Sequence, residues 1–123
     1  MAPLNKSILV VDDDSSIRTL VRTLLQREGF QVEEAESGNN AITQIMKKPF
    51  DAVVLDIMMG DGSGHDVLQT LAARRPDVKC VVVISATSQD NIEKVDTANV
   101  EARLRKPFDI GELLQAVRRC AGT

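Results

Sequence analysis

The sequence predicts an α/β domain in which a parallel five-stranded sheet is covered by helices on both faces. Strand-like and helix-like segments alternate five times along the 123 residues, which is the order typical of strands joined by helical crossovers. The segments at 7–11, 50–55 and 78–84 are apolar runs rich in β-branched residues, as expected for strands buried on both faces. The helix-like segments carry apolar residues at helical spacing. Together these patterns indicate a three-layer sandwich.

The first half of the chain supplies two strand–helix pairs, with strands predicted at 7–11 and 30–35. The first helix can be capped by Ser15 or Ser16, and Gly29 is a natural left-handed terminator for it. Its apolar residues follow the helical period: Ile17, Leu20, Val21, Leu24 and Leu25. A second helix follows the second strand and is stopped by a proline.

The second half of the chain supplies three more pairs. Strands are predicted at 50–55, 78–84 and 100–104, and helices at 65–75, at 90–97 and after Asp109. The helix at 90–97 is short and weakly amphipathic, and the strand at 100–104 is the poorest of the five. We expect a single domain over 1–123 with its core at about 7–120, either complete or cut from a longer protein.

Composition excludes several classes of function. The formal net charge is −3, from 15 basic and 18 acidic residues, and a nucleic-acid-binding domain would show a basic excess. No apolar run approaches the ~20 residues that a membrane span requires, and the first residues lack a signal-peptide core. We therefore expect a cytoplasmic protein that binds neither nucleic acid nor membrane directly.

The two cysteines, Cys80 and Cys120, show no redox or metal-binding motif. A disulfide between them would be allowed in principle. In a cytosolic protein the expected state is two reduced thiols.

Polar residues follow four of the five predicted strands. Asp12 and Asp13 follow the first, Asp56 the third, Ser85 the fourth and Lys106 the fifth. In an open parallel sheet the functional crevice lies beyond the carboxyl ends of the strands. The sequence thus predicts that three acids, a hydroxyl group and an amine meet at one edge of the sheet.

Three carboxylates in one crevice raise each other's pKa unless a cation is present. Mg²⁺ prefers oxygen ligands at ~2.1 Å and takes one or two carboxylates together with waters and phosphate oxygens. Zinc is a poor candidate because no His and Cys cluster is present. A flavin or nucleotide is a competing interpretation, but the acidic loop at 12–14 repels anions and lacks a glycine-rich phosphate cradle. Considered singly, Asp14 could be only a helix cap and Asp56 only a surface turn.

Four motifs resemble those of receiver domains of two-component response regulators (CheY-like). They are VVDDD at 10–14, VVLDIMM at 53–59, VVVISA at 81–86 and RKPF at 105–108. The resemblance runs over about 8–120, and the four motifs occur in order at about the family's spacing. It implies a flavodoxin-like (βα)5 three-layer sandwich with strand order 2-1-3-4-5.

The resemblance also implies a metal-dependent phosphoacceptor. Asp56 would be the phosphoacceptor and would contribute to the metal site. Asp13 would bind Mg²⁺ directly, and Asp12 through water or as a second support. The backbone carbonyl of Met58 would complete the protein ligands.

Two further residues would contact the phosphoryl group in such a domain. Lys106 would pair with the phosphoryl oxygens, and Ser85 would turn inward to donate a hydrogen bond. The family often has an aromatic residue three positions before the lysine, which rotates inward as the Ser or Thr moves. Here that position is Arg103, which we interpret as a solvent-facing residue of an edge strand.

The predicted function is a phosphorylation-controlled signalling module without turnover of a separate substrate. Its expected partners are a histidine kinase or phosphotransfer protein and a downstream effector, with a homodimer formed through the last two helices and the last strand. One alternative is a pseudo-receiver that binds a partner without phosphate. Arg103 keeps this alternative open, although the complete set of site residues argues against it: Asp12, Asp13, Asp56, Ser85 and Lys106. The other alternative is an aspartyl-phosphate phosphatase. Such an enzyme needs a second acid two residues after the nucleophile, and Met58 occupies that position, which argues against this alternative.

Overall fold

The computed structural model describes residues 6–57, 64–74, 80–85, 100–106 and 108–121. Within these residues the strands are β1 Ser7–Val11, β2 Gln31–Ala35, β3 Ala52–Asp56, β4 Val81–Ser85 and β5 Val100–Arg105. The helices are α1 Ser15–Arg27, α2 Gly38–Lys47, α3 Gly64–Arg74 and α4 Ile110–Ala121. The helix predicted at 90–97 lies outside the described residues. None of the described helices combines the length and apolar character needed to cross a bilayer.

All five strands are parallel and lie in the order β2-β1-β3-β4-β5. The predicted fold class and strand order are therefore confirmed. This order places β1 and β3 side by side at the centre of the sheet, so that the residues at their carboxyl ends are neighbours. β4 then separates β3 from β5 at the same edge.

Apart from their terminal residues, the central strands are apolar, because each one contributes side chains to two cores. On one face, Val53 and Leu55 of β3 pack in a cluster that includes residues of α2 and α3. On the other face, Ala52 and Val54 pack with residues of α1 and α4. Strand side chains alternate between faces, so a strand covered on both sides needs no polar positions. This explains why the first, third and fourth strands are recognisable as continuous apolar runs.

Side-chain caps and one glycine set the helix ends. Asp14 rather than a serine is the N-cap of α1, since its side chain accepts hydrogen bonds from two backbone amides of the first turn. Ser37 caps α2, and Asp109 accepts a hydrogen bond from an amide in the first turn of α4. Gly29 has a φ of 97°, so the predicted left-handed terminator follows α1.

Two strand ends define the functional edge. β3 extends one residue further than predicted, so Asp56 is its last residue and pairs with Ile84 of β4. In β5 the register shifts by one residue. Val81 pairs with Val100, whereas the next residue of β4 pairs with Ala102. The strand nevertheless ends level with β4, and Lys106 follows directly.

The expectation of two reduced thiols is wrong for this structure. Cys80 and Cys120 form a disulfide with their Cα atoms 5.1 Å apart. Cys80 directly precedes β4 and is buried, and Cys120 packs in the same core from the last turn of α4. The pairing arises because α4 covers this face of the sheet, which the 40-residue separation in sequence does not reveal.

Candidate metal centre

Three carboxylates converge at the carboxyl edge of the sheet. Asp12 and Asp13 directly follow β1, and Asp56 ends the adjacent strand β3. One carboxylate oxygen of each lies within 4.8 Å of the others. Asp12 and Asp56 are each only 3% exposed, whereas Asp13 is exposed. The cluster therefore has a buried base and an open rim.

Lys106 reaches the two buried acids from beyond β4. Its Nζ lies 3.0 Å from Oδ2 of Asp12 and 3.2 Å from Oδ2 of Asp56. The ammonium group donates a hydrogen bond to each of these oxygens. One cation thus bridges a carboxylate that follows β1 and a carboxylate that ends β3.

Burial and charge act on both partners of this bridge. Burial raises the pKa of Asp12 above its ordinary value of 3.8, and the nearby charge of Asp56 adds to the effect; hydrogen bonds from the Asp14 amide and from Lys106 oppose it without cancelling it. Burial alone would lower the pKa of Lys106, but the hydrogen bond to Asp12 and the charge of Asp56 raise it above 10.5. Lys106 is therefore a firmly held cation, and a single cation does not offset the cost of burying Asp12 as an anion.

The consecutive acids at 12–14 have different surroundings. The amide of Asp14 donates to Oδ1 of Asp12 at 2.9 Å, while the Asp14 side chain faces away to cap α1. The amide of Asp12 donates to the carbonyl of Ala35 at 3.1 Å, which ties the turn to β2. The run is tolerated because one acid is bound by a cation, one caps a helix and one remains at the open rim.

Sequence reasoning missed one contact to this turn. Nη1 of Arg18 donates to the main-chain oxygen of Asp12 at 2.8 Å, and its Nε pairs with Oε1 of Glu34 at 3.1 Å. Arg22 pairs with the other oxygen of Glu34 at 2.5 Å. The sequence does contain a relevant pattern, since two arginines one helical turn apart precede an acid on the neighbouring strand. This pattern is the same as that of an ordinary surface ion pair, so it does not indicate a contact to the turn.

The other predicted site residues are placed as follows. Ser85 is the last residue of β4, at the same edge as Asp56, but its side chain lies outside the described part of the chain. The backbone carbonyl of Met58 also lies outside it. Arg103 is in β5, opposite Val83, and is exposed as expected.

The acid cluster suits a hard divalent cation. All three groups offer oxygen, which is the ligand type that Mg²⁺ prefers, and opposite ligands of a Mg²⁺ ion are separated by about 4.2 Å. The three oxygens lie within 4.8 Å of one another, so inward rotation of the side chains would bring them onto one ion. The exposed rim at Asp13 leaves room for waters or a ligand's oxygens.

An apolar groove borders the same edge. It has a volume of about 400 Å³ and is lined by Ile17, Leu20, Lys106, Phe108 and Ile110. Leu20 and Ile110 are 42% and 43% exposed, which is high for large apolar side chains. The groove is therefore continuous with the acid cluster through Lys106.

Comparison with known proteins gives consistent matches. The family model described as "Response regulator receiver domain" matches residues 8–118. The acid tolerance regulatory protein ActR of Sinorhizobium medicae is 34% identical over 92% of this chain and 58% of its own length. The sporulation initiation phosphotransferase F of Bacillus subtilis is 28% identical, and the match covers 94% of each chain. The chain thus spans a little over half of ActR and nearly all of the second relative.

Solved structures share the architecture. The response regulator protein TrrA from Thermotoga maritima, in complex with Mg²⁺-BeF, has a TM-score of 0.83 and 30% identity. The match covers 94% of this chain and 98% of the TrrA chain. The similarity therefore extends over nearly the whole of both chains.

Proposed function

The chain belongs to the response regulator receiver domain family, and we propose that it is a phosphoacceptor in a two-component phosphorelay. Asp56 takes a phosphoryl group from a phosphohistidine, and the protein then changes conformation to alter partner binding. The observation that carries this proposal is the buried Asp56 carboxylate, close to two further acids and 3.2 Å from the ammonium of Lys106. We propose no turnover of a separate substrate.

The chemistry assigned to Asp56 is nucleophilic displacement at phosphorus. A carboxylate oxygen forms the new P–O bond while the N–P bond of the phosphohistidine breaks, and the electron pair returns to the imidazole nitrogen. Phosphoryl transfer depends on positioning and charge neutralisation more than on covalent assistance. Asp12, Asp13, Asp56 and the carbonyl of Met58 would hold Mg²⁺, which supplies positive charge to the phosphoryl oxygens when bound. Lys106 supplies a second positive charge from the protein itself.

The acyl phosphate replaces one negative charge by about two. Lys106, which is shared between Asp12 and Asp56 in the unmodified protein, is drawn towards the new phosphoryl oxygens. Ser85 ends the strand beside Asp56 and is proposed to donate a hydrogen bond to them. Because Arg103 is exposed, the switch in this chain operates through Ser85 and Lys106 without an inward-turning aromatic residue.

We assign the phosphoryl donor, a histidine kinase or phosphotransfer protein, to the apolar groove beside Lys106. A protein that brings a phosphohistidine to Asp56 must cover the adjoining surface, and Leu20 and Ile110 are the exposed apolar residues there.

Leu20→Glu is expected to slow transfer from a kinase identified by phosphotransfer profiling at least ~10-fold, as for the loss of an interface anchor. Labelling by acetyl phosphate should be unchanged. Met46→Glu, at a residue of α2 that is 45% exposed, is the matched control, and equal slowing in both variants would contradict the assignment.

The output is assigned to another protein or domain. The chain spans only 58% of ActR, so part of that relative's length has no counterpart here. We propose that β5, α4 and the segment at 90–97 form the surface for an effector or a second copy of the chain. We further propose a cytoplasmic location, with no direct contact to nucleic acid or membrane.

The test is phosphorylation by acetyl phosphate with Mg²⁺, followed by intact mass measurement. The wild type should gain the mass of one phosphoryl group, and Asp56→Asn should gain none. Asp51→Asn is the control, because Asp51 bonds the amide of Ser7 at the opposite end of the sheet and its loss should leave labelling intact. No adduct on the wild type would favour a phosphate-independent pseudo-receiver, and steady release of phosphate from small phosphomonoesters would favour a phosphatase.

A further inference from the structure

We propose that Arg18 is a positioning residue for the metal centre. Its guanidinium, paired with Glu34, holds the turn that carries Asp12 and Asp13 in the conformation that binds the divalent cation. This inference rests on the proposed function, since it concerns the same site. It adds a residue that lies on α1 and outside the acid cluster.

The contact is made through a main-chain atom. Nη1 of Arg18 donates to the carbonyl oxygen of Asp12 at 2.8 Å. That carbonyl belongs to the peptide unit joining Asp12 to Asp13, and the unit is planar. Holding this carbonyl therefore fixes the orientation of the peptide plane that leads into Asp13. The amide of Asp12 is held on the other side by Ala35 of β2, so the main chain of Asp12 is bonded at both ends.

Asp13 is the member of the cluster that burial constrains least. Asp12 and Asp56 are buried, whereas Asp13 is exposed at the rim. Metal affinity depends on ligands held in place by neighbouring hydrogen bonds. The bond from Arg18 supplies that constraint to the backbone of the turn.

Glu34 makes the arrangement compatible with cation binding. A lone guanidinium beside the cluster would repel an incoming divalent ion. Here Nε of Arg18 pairs with Oε1 of Glu34 at 3.1 Å, and the Arg18 side chain is only 16% exposed. The carboxylate offsets the charge of Arg18, while the planar fork of the guanidinium still reaches the turn. Arg18 thus holds the turn in place while adding little net repulsion to an incoming divalent cation.

Arg22 provides a matched control within the same network. It lies one turn further along α1 and pairs with the second oxygen of Glu34 at 2.5 Å. In the described part of the chain its hydrogen bond goes to Glu34 and not to the turn. Arg22→Ala therefore removes one positive charge and one ion pair, as Arg18→Ala does, but leaves the bond to Asp12.

The experiment is a Mg²⁺ titration followed by amide chemical shifts in the wild type, Arg18→Ala, Arg22→Ala and Arg18→Lys. Arg18→Ala should weaken Mg²⁺ binding about 10-fold or more, as for other partners that orient metal ligands. Arg22→Ala should stay close to the wild type. Arg18→Lys should remain weakened, because one ammonium cannot reproduce the fork. Urea unfolding without Mg²⁺ should give similar midpoints for the two alanine variants, which separates positioning from general stability.

Three results would overturn the proposal. They are unchanged Mg²⁺ affinity in Arg18→Ala, equal weakening in both alanine variants, or full recovery of affinity in Arg18→Lys. If the wild type itself binds no Mg²⁺, the metal part of the proposed function fails together with this inference. If the wild type binds Mg²⁺ and Arg18→Ala binds it equally, only the inference fails.

Discussion

At the residue scale, Asp12 carries the electrostatic cost of the site. Its carboxylate is 3% exposed and bonded to Lys106, yet burial and the charge of Asp56 still raise its pKa. A group whose folded pKa exceeds its unfolded value binds more protons when folded. Stability then falls as pH rises from about the unfolded value through the folded one. Without a divalent cation, Asp12 therefore destabilises the fold at neutral pH.

We predict that Asp12→Asn stabilises the metal-free protein at neutral pH and not below the ordinary pKa of 3.8. Asparagine removes the buried charge and keeps an oxygen that can accept the Asp14 amide. The measurement is the free energy of unfolding in urea as a function of pH, without divalent ions. The difference between variant and wild type should grow as pH rises above 3.8.

Asp14→Asn is the control for this pH series. Asp14 caps α1 from an exposed position, and asparagine caps helices about as well as aspartate. The Asp14→Asn variant should not show the stabilisation that grows with pH in Asp12→Asn, because it leaves the buried Asp12 in place. A stability difference for Asp12→Asn that does not change with pH would contradict the electrostatic account.

At the element scale, α3 begins in unusually close contact with the end of β3. A Cβ atom added at Gly64 would meet the backbone oxygen of Ile57 and would lie 2.7 Å from its Cα. Backbone atoms cannot move aside as a flexible side chain can. Ile57 directly follows Asp56, so this contact also fixes the strand end that carries the proposed phosphoacceptor.

We predict that Gly64→Ala costs about 1–3 kcal/mol of stability through overpacking and slows labelling of Asp56 by acetyl phosphate. Gly111→Ala is the control, because among the described residues its new Cβ would meet only an oxygen of the Asp109 side chain, at 3.0 Å, and no backbone atom. Removing a helical glycine in that case should change stability by less than about 1 kcal/mol. Urea unfolding measures both, and equal effects would contradict the packing argument.

The disulfide ties α4 to the start of β4. It closes a 40-residue separation between Cys80 and Cys120. In the chain-entropy account, a crosslink of this kind stabilises by about 2–4 kcal/mol, chiefly by restricting the unfolded chain. α4 also contributes buried residues to the core on that face. We therefore expect α4 to stay packed after reduction, with a smaller free energy of unfolding.

We predict that a thiol reductant lowers the free energy of unfolding by about 2–4 kcal/mol. The double variant Cys80→Ala/Cys120→Ala should be insensitive to the reductant, which controls for effects on other groups. Urea unfolding with and without reductant is the measurement. Two titratable thiols in protein purified under oxidising conditions would rule the crosslink out.

The elements show where sequence reasoning succeeds. Continuous apolar runs identify buried parallel strands because their side chains serve two cores, and the acids that follow them converge because parallel strands end at one edge. The Cys80–Cys120 pairing could not be predicted, because it depends on how α4 packs. The same limit applies to Arg18, whose role depends on the path of a long side chain, and to Leu20, which has helical spacing but is 42% exposed.

At the scale of the whole molecule, a cation held by the proposed metal site would couple metal binding to stability. A ligand that binds only the folded state raises the free energy of unfolding by RT ln(1 + [L]/Kd), so the gain grows with the logarithm of the free ligand concentration. We predict that Mg²⁺ at about 100 times its dissociation constant raises the free energy of unfolding by about 2.7 kcal/mol. Urea unfolding with and without Mg²⁺ measures this. Asp13→Asn should lose most of the increase, and an equal response in that variant would show that the stabilisation arises elsewhere.

We propose that the acids at one edge of the sheet, together with a divalent cation, make Asp56 a phosphoacceptor. The most direct test is to incubate the wild type with acetyl phosphate in Mg²⁺ or in excess chelator and to locate the adduct by peptide mass. We expect a phosphoryl group on Asp56 in Mg²⁺ and none in chelator. A phosphoryl group on a different residue, or equal labelling of Asp56 in chelator, would contradict it.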